Sequence, residues 1–206
     1  MNMALARLIA GQIFLHACMT GMRMATPLLA LREGYSAAAV GVLLALFALT
    51  QVFLALPAGR YADRHGLKRP VGIAVAMACV GAGASLVYPV FAVMCFSALL
   101  TGGAAGLAII ALQRHVGRAA HDTTQLRQVF SWLAIGPAVS NFIGPFFAGL
   151  LIDHAGSVAG STEGYRAAFA LMALLPLATW FWVRDTVELP PVIAAAGGPP
   201  QRAWDL

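Results

Sequence analysis

Six long apolar segments dominate the chain and leave few folds open to it. They cover residues 8–31, 37–56, 70–87, 90–112, 129–152 and 165–183. Each is close to the roughly 20 apolar residues that a helix needs to cross the hydrocarbon layer of a bilayer. Only 10% of the residues are charged, against about 25% in soluble domains, and the mean hydropathy is +0.80. The sequence therefore predicts an all-α membrane protein with six transmembrane helices.

The basic residues are unequally distributed between the two predicted sides of the membrane. Only Arg32 and Arg166 fall on one side, and Arg23 lies inside the first segment. The others fall on the opposite side: Arg7, Arg60, Arg64, Lys68, Arg69, Arg114, Arg118, Arg127, Arg184 and Arg202. Because Lys- and Arg-rich loops stay in the cytoplasm, we expect both termini to be cytoplasmic. The short loops and the Ala/Gly/Arg-rich composition favour a bacterial inner membrane. The net charge of +5 resides in these loops, so we expect no nucleic-acid partner.

A short basic stretch separates the second and third segments, and we predict that it forms a turn. Gly59 lacks a side chain, so another helix can approach its backbone closely. Asp63 is placed to cap a helix or to pair with an arginine. Gly66 permits a sharp turn, and Lys68 and Arg69 are placed to face anionic headgroups.

These residues and Arg64 resemble motif A of the major facilitator superfamily, Gly-x-x-x-Asp-Arg-x-Gly followed by basic residues. Leu67 departs from the motif, which usually has a basic residue there. The resemblance implies two six-helix bundles that bind a small-molecule substrate between them and rock to alternate access. It assigns residues 1–185 to the N-terminal bundle and 186–206 to the cytoplasmic tail that begins the central loop. The last five residues resemble the start of a seventh helix.

An internal repeat supports this architecture. Ala58-Gly59-x-x-x-Asp63-x-x-Gly66 recurs as Ala148-Gly149-x-x-x-Asp153-x-x-Gly156. The first copy ends the second helix and the second copy ends the fifth, so the two copies face opposite sides of the membrane. That arrangement is typical of an inverted 3+3 repeat. The predicted fold class is therefore half of a twelve-helix major facilitator fold.

Small residues on the fifth helix resemble motif C of the antiporter branch of the same superfamily. They are Ser131, Ser140, Gly144, Pro145, Ala148 and Gly149. In that branch the helix helps to form the access path of drug:proton exchangers. Ordinary close packing of small residues is the alternative interpretation. The arginine that motif B of the family places on the fourth helix, near Ala98, is missing here. Its absence leaves Asp63 in need of another partner, with Arg64 and Arg114 as the candidates.

Three further residues are candidates for substrate binding or ion coupling. Arg23 lies inside the first apolar segment, where a cation is costly unless it is paired or faces water. His16 lies two turns deeper on a similar face, and Asn141 lies on the fifth helix. Their alternative roles are snorkelling of Arg23 to the interface and ordinary hydrogen bonding within the bundle. Thr101 is predicted to bond a neighbouring helix. All eight acidic residues lie outside the membrane interior, which disfavours a carboxylate proton carrier in this chain.

The sequence therefore predicts a secondary transporter, an exporter of small molecules, that works with a second six-helix half. That half is either a missing C-terminal half, a split partner or a second copy of the chain. The alternative is a non-transporting membrane protein, either a regulatory partner or a truncated remnant. No nucleotide-binding loop, metal-ligand cluster or nucleophile elbow is recognisable, so we expect neither enzymatic activity nor a cofactor or metal.

Overall fold

The computed structural model describes residues 3–119, 122–155 and 162–188, which form six α-helices and no strand. The helices are α1 (Met3–Arg32), α2 (Ala37–His65), α3 (Lys68–Val87), α4 (Phe91–Ala119), α5 (Thr123–His154) and α6 (Glu163–Val183). All six are long and apolar enough to cross a membrane. The predicted fold class is confirmed. Gly156 and residues 189–206 of the predicted tail lie outside the described residues.

Several helices extend well beyond their apolar segments. The predicted turn between the second and third segments is mostly helical, because α2 continues to His65 and α3 begins at Lys68. Only Gly66 and Leu67 form the turn, and Gly66 adopts a φ of +73°. The predicted polar loop after the fourth segment is also largely helical. Polar residues continue these helices because a helix satisfies its own backbone hydrogen bonds whether it lies in lipid or in water.

The helices pack in a pattern that a two-fold exchange leaves unchanged. The most extensive contacts join α1 to α5 and α2 to α4, followed by α1 with α6, α3 with α4 and α3 with α6. Exchanging α1 with α4, α2 with α5 and α3 with α6 converts each of these pairs into another pair in the set. This pattern is the one that an inverted 3+3 repeat requires.

Individual contacts follow the same exchange with a shift of 90 residues. A Cβ atom added at Gly59 of α2 would lie 2.9 Å from Nη1 of Arg114 on α4. A Cβ atom added at Gly149 of α5 would lie 3.2 Å from Cε of Met24 on α1. Adding 90 to the first glycine gives the second, and subtracting 90 from Arg114 gives Met24. The repeat therefore governs packing as well as sequence.

Helix α3 is capped at both ends by residues from the first turn of α6 and from the segment after it. Leu67 at the N-cap provides no side-chain hydrogen bond. Instead, the backbone N–H of Lys68 donates to Oε1 of Glu188 at 2.7 Å. At the other end, the Arg166 guanidinium donates to the carbonyl oxygens of Leu86 at 3.1 Å and Val87 at 3.2 Å. An acid at the N-terminus and a base at the C-terminus both complement the helix dipole.

Alternating helix directions gather most cations at one end of the bundle, which we call the basic end. Arg7 at the start of α1 pairs there with Asp185 beyond α6, at 3.3 Å. The opposite end holds Arg166 and Arg32, whose guanidinium lies 5.5 Å from the ring centre of Tyr165. The charge asymmetry that the sequence indicates is therefore an asymmetry of the folded bundle.

Candidate functional site

The basic end contains an ion pair between Asp63 on α2 and Arg114 on α4. Nη2 of Arg114 donates to Oδ2 of Asp63 at 2.5 Å. The guanidinium reaches the carboxylate by passing over Gly59, one turn earlier on α2, where a Cβ would obstruct it. Of the two predicted partners of Asp63, the structure therefore selects Arg114. Ala62, Gly66, Ala111, His115 and Arg118 line the small cleft around this pair.

The rest of the predicted motif divides into two groups. Gly66 and the backbone of Lys68 contact Glu188, whose Oε1 would lie 3.2 Å from a Cβ at Gly66. The side chains of Arg64 and Arg69 are exposed. Arg64 follows Asp63 directly on a continuous helix, so the two side chains point in different directions. The structure thus joins Gly59 and Asp63 to α4, and Gly66 and Lys68 to the segment after α6.

Three of the predicted small residues on α5 face α1: Ser140, Gly144 and Ala148 are all buried. The Ser140 hydroxyl is 2.7 Å from the carbonyl oxygen of Gly136 and 3.1 Å from that of Ile13. A Cβ at Gly144 would overlap with the carbonyl oxygen of Ala17. The small residues therefore allow the backbones of α1 and α5 to touch.

The other predicted residues of this helix take different positions. Gly149 is half-buried and packs against Met24, and Pro145 is half-buried. Ser131 is exposed and donates to the carbonyl oxygen of Arg127 at 2.9 Å, within its own helix. Placing Ser131 on the small-residue face was wrong. It lies nine residues before Ser140, which is about half a turn around the helix.

The remaining candidates lie on α1 and α5 at membrane depth. Arg23 is exposed and makes no hydrogen bond or ion pair with any residue in the described ranges. His16 is half-buried, and Asn141 is exposed. Ser140, the neighbour of Asn141, contacts Ile13 and accepts from Thr20, so Asn141 and His16 lie at the same level.

Two residues that sequence reasoning missed contribute to these sites. Gln12 of α1 is buried against Gly136 of α5, and nothing in the described part of the chain donates to its Oε1. Its position four residues before His16, on the same helix face, was the available signal. Glu188 caps α3 from far along the chain. Its position in an apparent polar tail gave no signal.

Thr101 does not bond a neighbouring helix, contrary to prediction. Its hydroxyl donates to the carbonyl oxygen of Ser97 at 2.7 Å within α4. The inter-helix bond comes from Ser97 itself, which donates to the carbonyl oxygen of Gly81 on α3 at 2.5 Å and lies 2.7 Å from the Ser85 hydroxyl. Among the residues that the structure describes, no three His, Cys, Asp or Glu side chains are grouped to bind a metal.

The fold and these sites define an integral membrane protein built as an inverted repeat, with an ion pair joining α2 and α4 at the basic end. A family model described as the Major Facilitator Superfamily matches residues 8–203, nearly the whole chain. The chain therefore belongs to the Major Facilitator Superfamily, a family of membrane transporters. A comparison with proteins of curated function found no match.

Proposed function

We propose that this chain is the N-terminal half of a secondary transporter that exports small molecules by alternating access. The observation that carries the proposal is the exposure of Arg23 on a transmembrane helix. Arg23 lies about 14 Å from Arg32 along α1, using the helical rise, and is therefore well inside the hydrocarbon layer. An unpaired cation at that depth is stable only beside water or a polar partner. A water-filled substrate path beside α1 meets this requirement.

The ion pair at the basic end supports alternating access. Asp63 and Arg114 join the ends of α2 and α4, and both side chains are partly exposed. The equivalent position at the opposite end is occupied by Met24, and Asp153 forms no ion pair with any described residue. The two ends therefore differ in how firmly their helices are joined. We assign the basic end to the cytoplasm of a bacterial inner membrane on the basis of its positive charge.

The uncovered faces of α2 and α5 support a second six-helix half. These two helices are the least buried of the six. On α2 the exposed large apolar side chains are Val42, Leu44, Leu49, Val52, Phe53 and Leu56, and on α5 they include Phe130, Trp132, Ile135, Phe142, Phe146, Phe147 and Leu150. Lipid covers part of this surface, and the second half covers the part beside the substrate path. The small-residue contact between α1 and α5 supports the drug:proton antiporter branch, with His16 as the candidate proton carrier.

The test combines transport with particle mass. Cells expressing the chain are compared with cells expressing Asp63→Asn, by mass spectrometry of intracellular small molecules, with both proteins inserted at equal levels. Arg60→Gln, which removes an exposed charge from the same end of α2, is the matched control. An exporter lowers the content of at least one compound in wild-type and Arg60→Gln cells only.

The remaining outcomes each contradict part of the proposal. A raised content identifies an importer. Identical contents in all cells identify a non-transporting membrane protein. The solubilised particle is expected to exceed the 21.5 kDa of one chain, after the detergent is subtracted, because it contains a second half. Export by a particle of one chain alone would remove the need for that half.

A further inference from the structure

The direction of α1 disfavours the usual escape of the Arg23 side chain to the nearer interface. Side chains of a helix lean towards its N-terminus. The N-terminus of α1 lies at the basic end, because Arg7 pairs there with Asp185. The nearer interface lies in the other direction, beyond Arg32. The Cα–Cβ bond of Arg23 therefore points towards the middle of the membrane, the side on which His16 lies.

None of the acidic residues that the structure describes forms an ion pair with Arg23. The seven described acids lie at or near helix ends: Glu33, Asp63, Asp122, Asp153, Glu163, Asp185 and Glu188. Asp153 is the repeat equivalent of Asp63. It lies one turn beyond Gly149, which packs against Met24, the neighbour of Arg23 in the sequence. Even so, no ion pair joins it to Arg23. The described part of the chain therefore leaves this positive charge available to another group.

Polar neutral groups accompany Arg23 on the side towards which it leans. Gln12, His16 and Arg23 are spaced by four and seven residues, so they form one row along α1. The repeat then connects this row to α5. A Cβ at Gly106 of α4 would lie 3.3 Å from Cγ of Gln51 on α2. The shift of 90 residues makes His16 and Asn141 the positions equivalent to Gly106 and Gln51.

We propose that Arg23, His16 and Asn141 form one anion-binding site, and that the substrates carry a carboxylate, sulfonate or phosphate group. This inference rests on the proposed transport function. Arg23 supplies the charge, because a guanidinium binds such groups through paired N–H donors. Asn141 and a neutral His16 supply further hydrogen-bond donors.

The test measures water access and charge selectivity with cysteine reporters. In the full chain, with Cys18, Cys79 and Cys95 replaced by Ala, either His16→Cys or Asn141→Cys is introduced. Open membrane fragments are treated with two methanethiosulfonate reagents, one ending in a sulfonate and one in a trimethylammonium group. Reaction rates are normalised to those of free cysteine. We expect both reporters to react, and the sulfonate reagent to react preferentially.

The preference must depend on Arg23. His16 and Arg23 are about 10 Å apart along α1, and unit charges at that separation in a partly aqueous protein environment change a rate by about tenfold. Arg23→Gln should therefore lower the sulfonate-to-ammonium rate ratio about a hundredfold, because the two rates change about tenfold in opposite directions, whereas Arg23→Lys should retain most of it. Arg32→Gln, on the same helix but more than a screening length from both reporters, should leave the ratio unchanged.

Failure of this inference and failure of the proposed function give different results. Two results would show a water-filled path without anion selectivity and would overturn this inference alone. In the first, the reporters react equally with both reagents. In the second, the sulfonate-to-ammonium rate ratio is unchanged by Arg23→Gln. Such a result also follows if an acid from a second half neutralises Arg23. Reporters that react with neither reagent, yet react after denaturation, show that no water-filled path exists and overturn both proposals. A charge effect at one reporter only overturns the shared site.

Discussion

Gly59 and Asp63 both contact the same cation, the guanidinium of Arg114. They lie one turn apart on α2, so both face α4, and the guanidinium of Arg114 crosses the first to reach the second. The glycine leaves room for the crossing side chain, whose Nη1 would lie 2.9 Å from an added Cβ. The four-residue spacing of Gly59 and Asp63 therefore corresponds to one helical turn, which places both residues against the Arg114 side chain.

This arrangement predicts that substitutions at Gly59 and Arg114 are not additive. Gly59→Ala should displace the guanidinium and cost about the value of the ion pair, at most about 1 kcal/mol, because both partners are partly exposed. In an Arg114→Met background, the same substitution should be neutral or slightly stabilising, because no guanidinium is displaced and Ala favours a helix over Gly. The measurement is a double-mutant cycle of the free energy of unfolding in mixed micelles. Equal costs in both backgrounds would show that Gly59 serves some other contact.

The sequence limited the ion-pair partner of Asp63 to two arginines, Arg64 and Arg114, but did not select one of them. Arg64 remained a candidate because the helix was predicted to end before Asp63, which left the direction of its side chain open. Once α2 continues to His65, adjacent residues cannot face each other. Arg114 is 51 residues away, and only the packing of α4 against α2 brings it to the carboxylate.

Glycines set the separation of the two main helix pairs. At the crossing of α1 and α5, Gly144 lies against the backbone of Ala17, and at the crossing of α2 and α4, Gly102 lies against the backbone of Phe47. Without a hydrophobic effect between helices in lipid, van der Waals contact and hydrogen bonds hold such pairs together. Backbone contact maximises both.

Enlarging one of these glycines should therefore separate a helix pair. Gly144→Ala places a methyl group against backbone atoms that cannot move aside, and should destabilise the bundle by about 2 kcal/mol. Gly83→Ala is the matched control, since nothing lies within 4 Å of its added Cβ, and it should be neutral or slightly stabilising. Thermal unfolding of the purified variants gives both values. Equal stability of the two variants would contradict the backbone contact at Gly144.

The existence of the six helices was predictable, and their ends were not. Apolar length identifies the part of a helix in lipid, but α2, α4 and α5 each continue through polar residues that hydropathy assigns to loops. The same limitation misplaced Ser131. Similar residues on one helix were taken as one face, whereas angular spacing divides them into an α1-facing set and an exposed one.

The whole molecule combines a symmetric scaffold with asymmetric chemistry. The same packing position holds Arg114 at the basic end and Met24 at the opposite end, although Asp63 and Asp153 are equivalent in the repeat. The backbone arrangement is therefore shared by the two ends, and the ion pair belongs to one of them.

The charge asymmetry predicts the orientation of the molecule. In intact cells, a membrane-impermeant maleimide should label Glu33→Cys and not Arg64→Cys, because loops rich in Lys and Arg are generally retained in the cytoplasm. In inverted vesicles the labelling should be reversed. Both positions are exposed, and both variants are made in the cysteine-free chain. Labelling of Arg64→Cys in intact cells would contradict the assigned orientation.

The overall architecture was accessible from the sequence because a repeated motif and alternating charge are one-dimensional signals. The contacts that complete the bundle could not be predicted from such signals. Glu188 and Arg166 reach α3 across 120 and 80 residues, and no local pattern relates them to it.

These two contacts have a consequence for the order in which the molecule is assembled. A ribosome makes α3 before α6, so α3 leaves it with neither of its end partners yet made. Its first amide and last carbonyls must first depend on water and lipid headgroups. They obtain their protein partners only when Arg166, in the first turn of α6, and Glu188, just beyond its C-terminal end, have been made. Synthesis of α6 is therefore the step that completes a helix made much earlier.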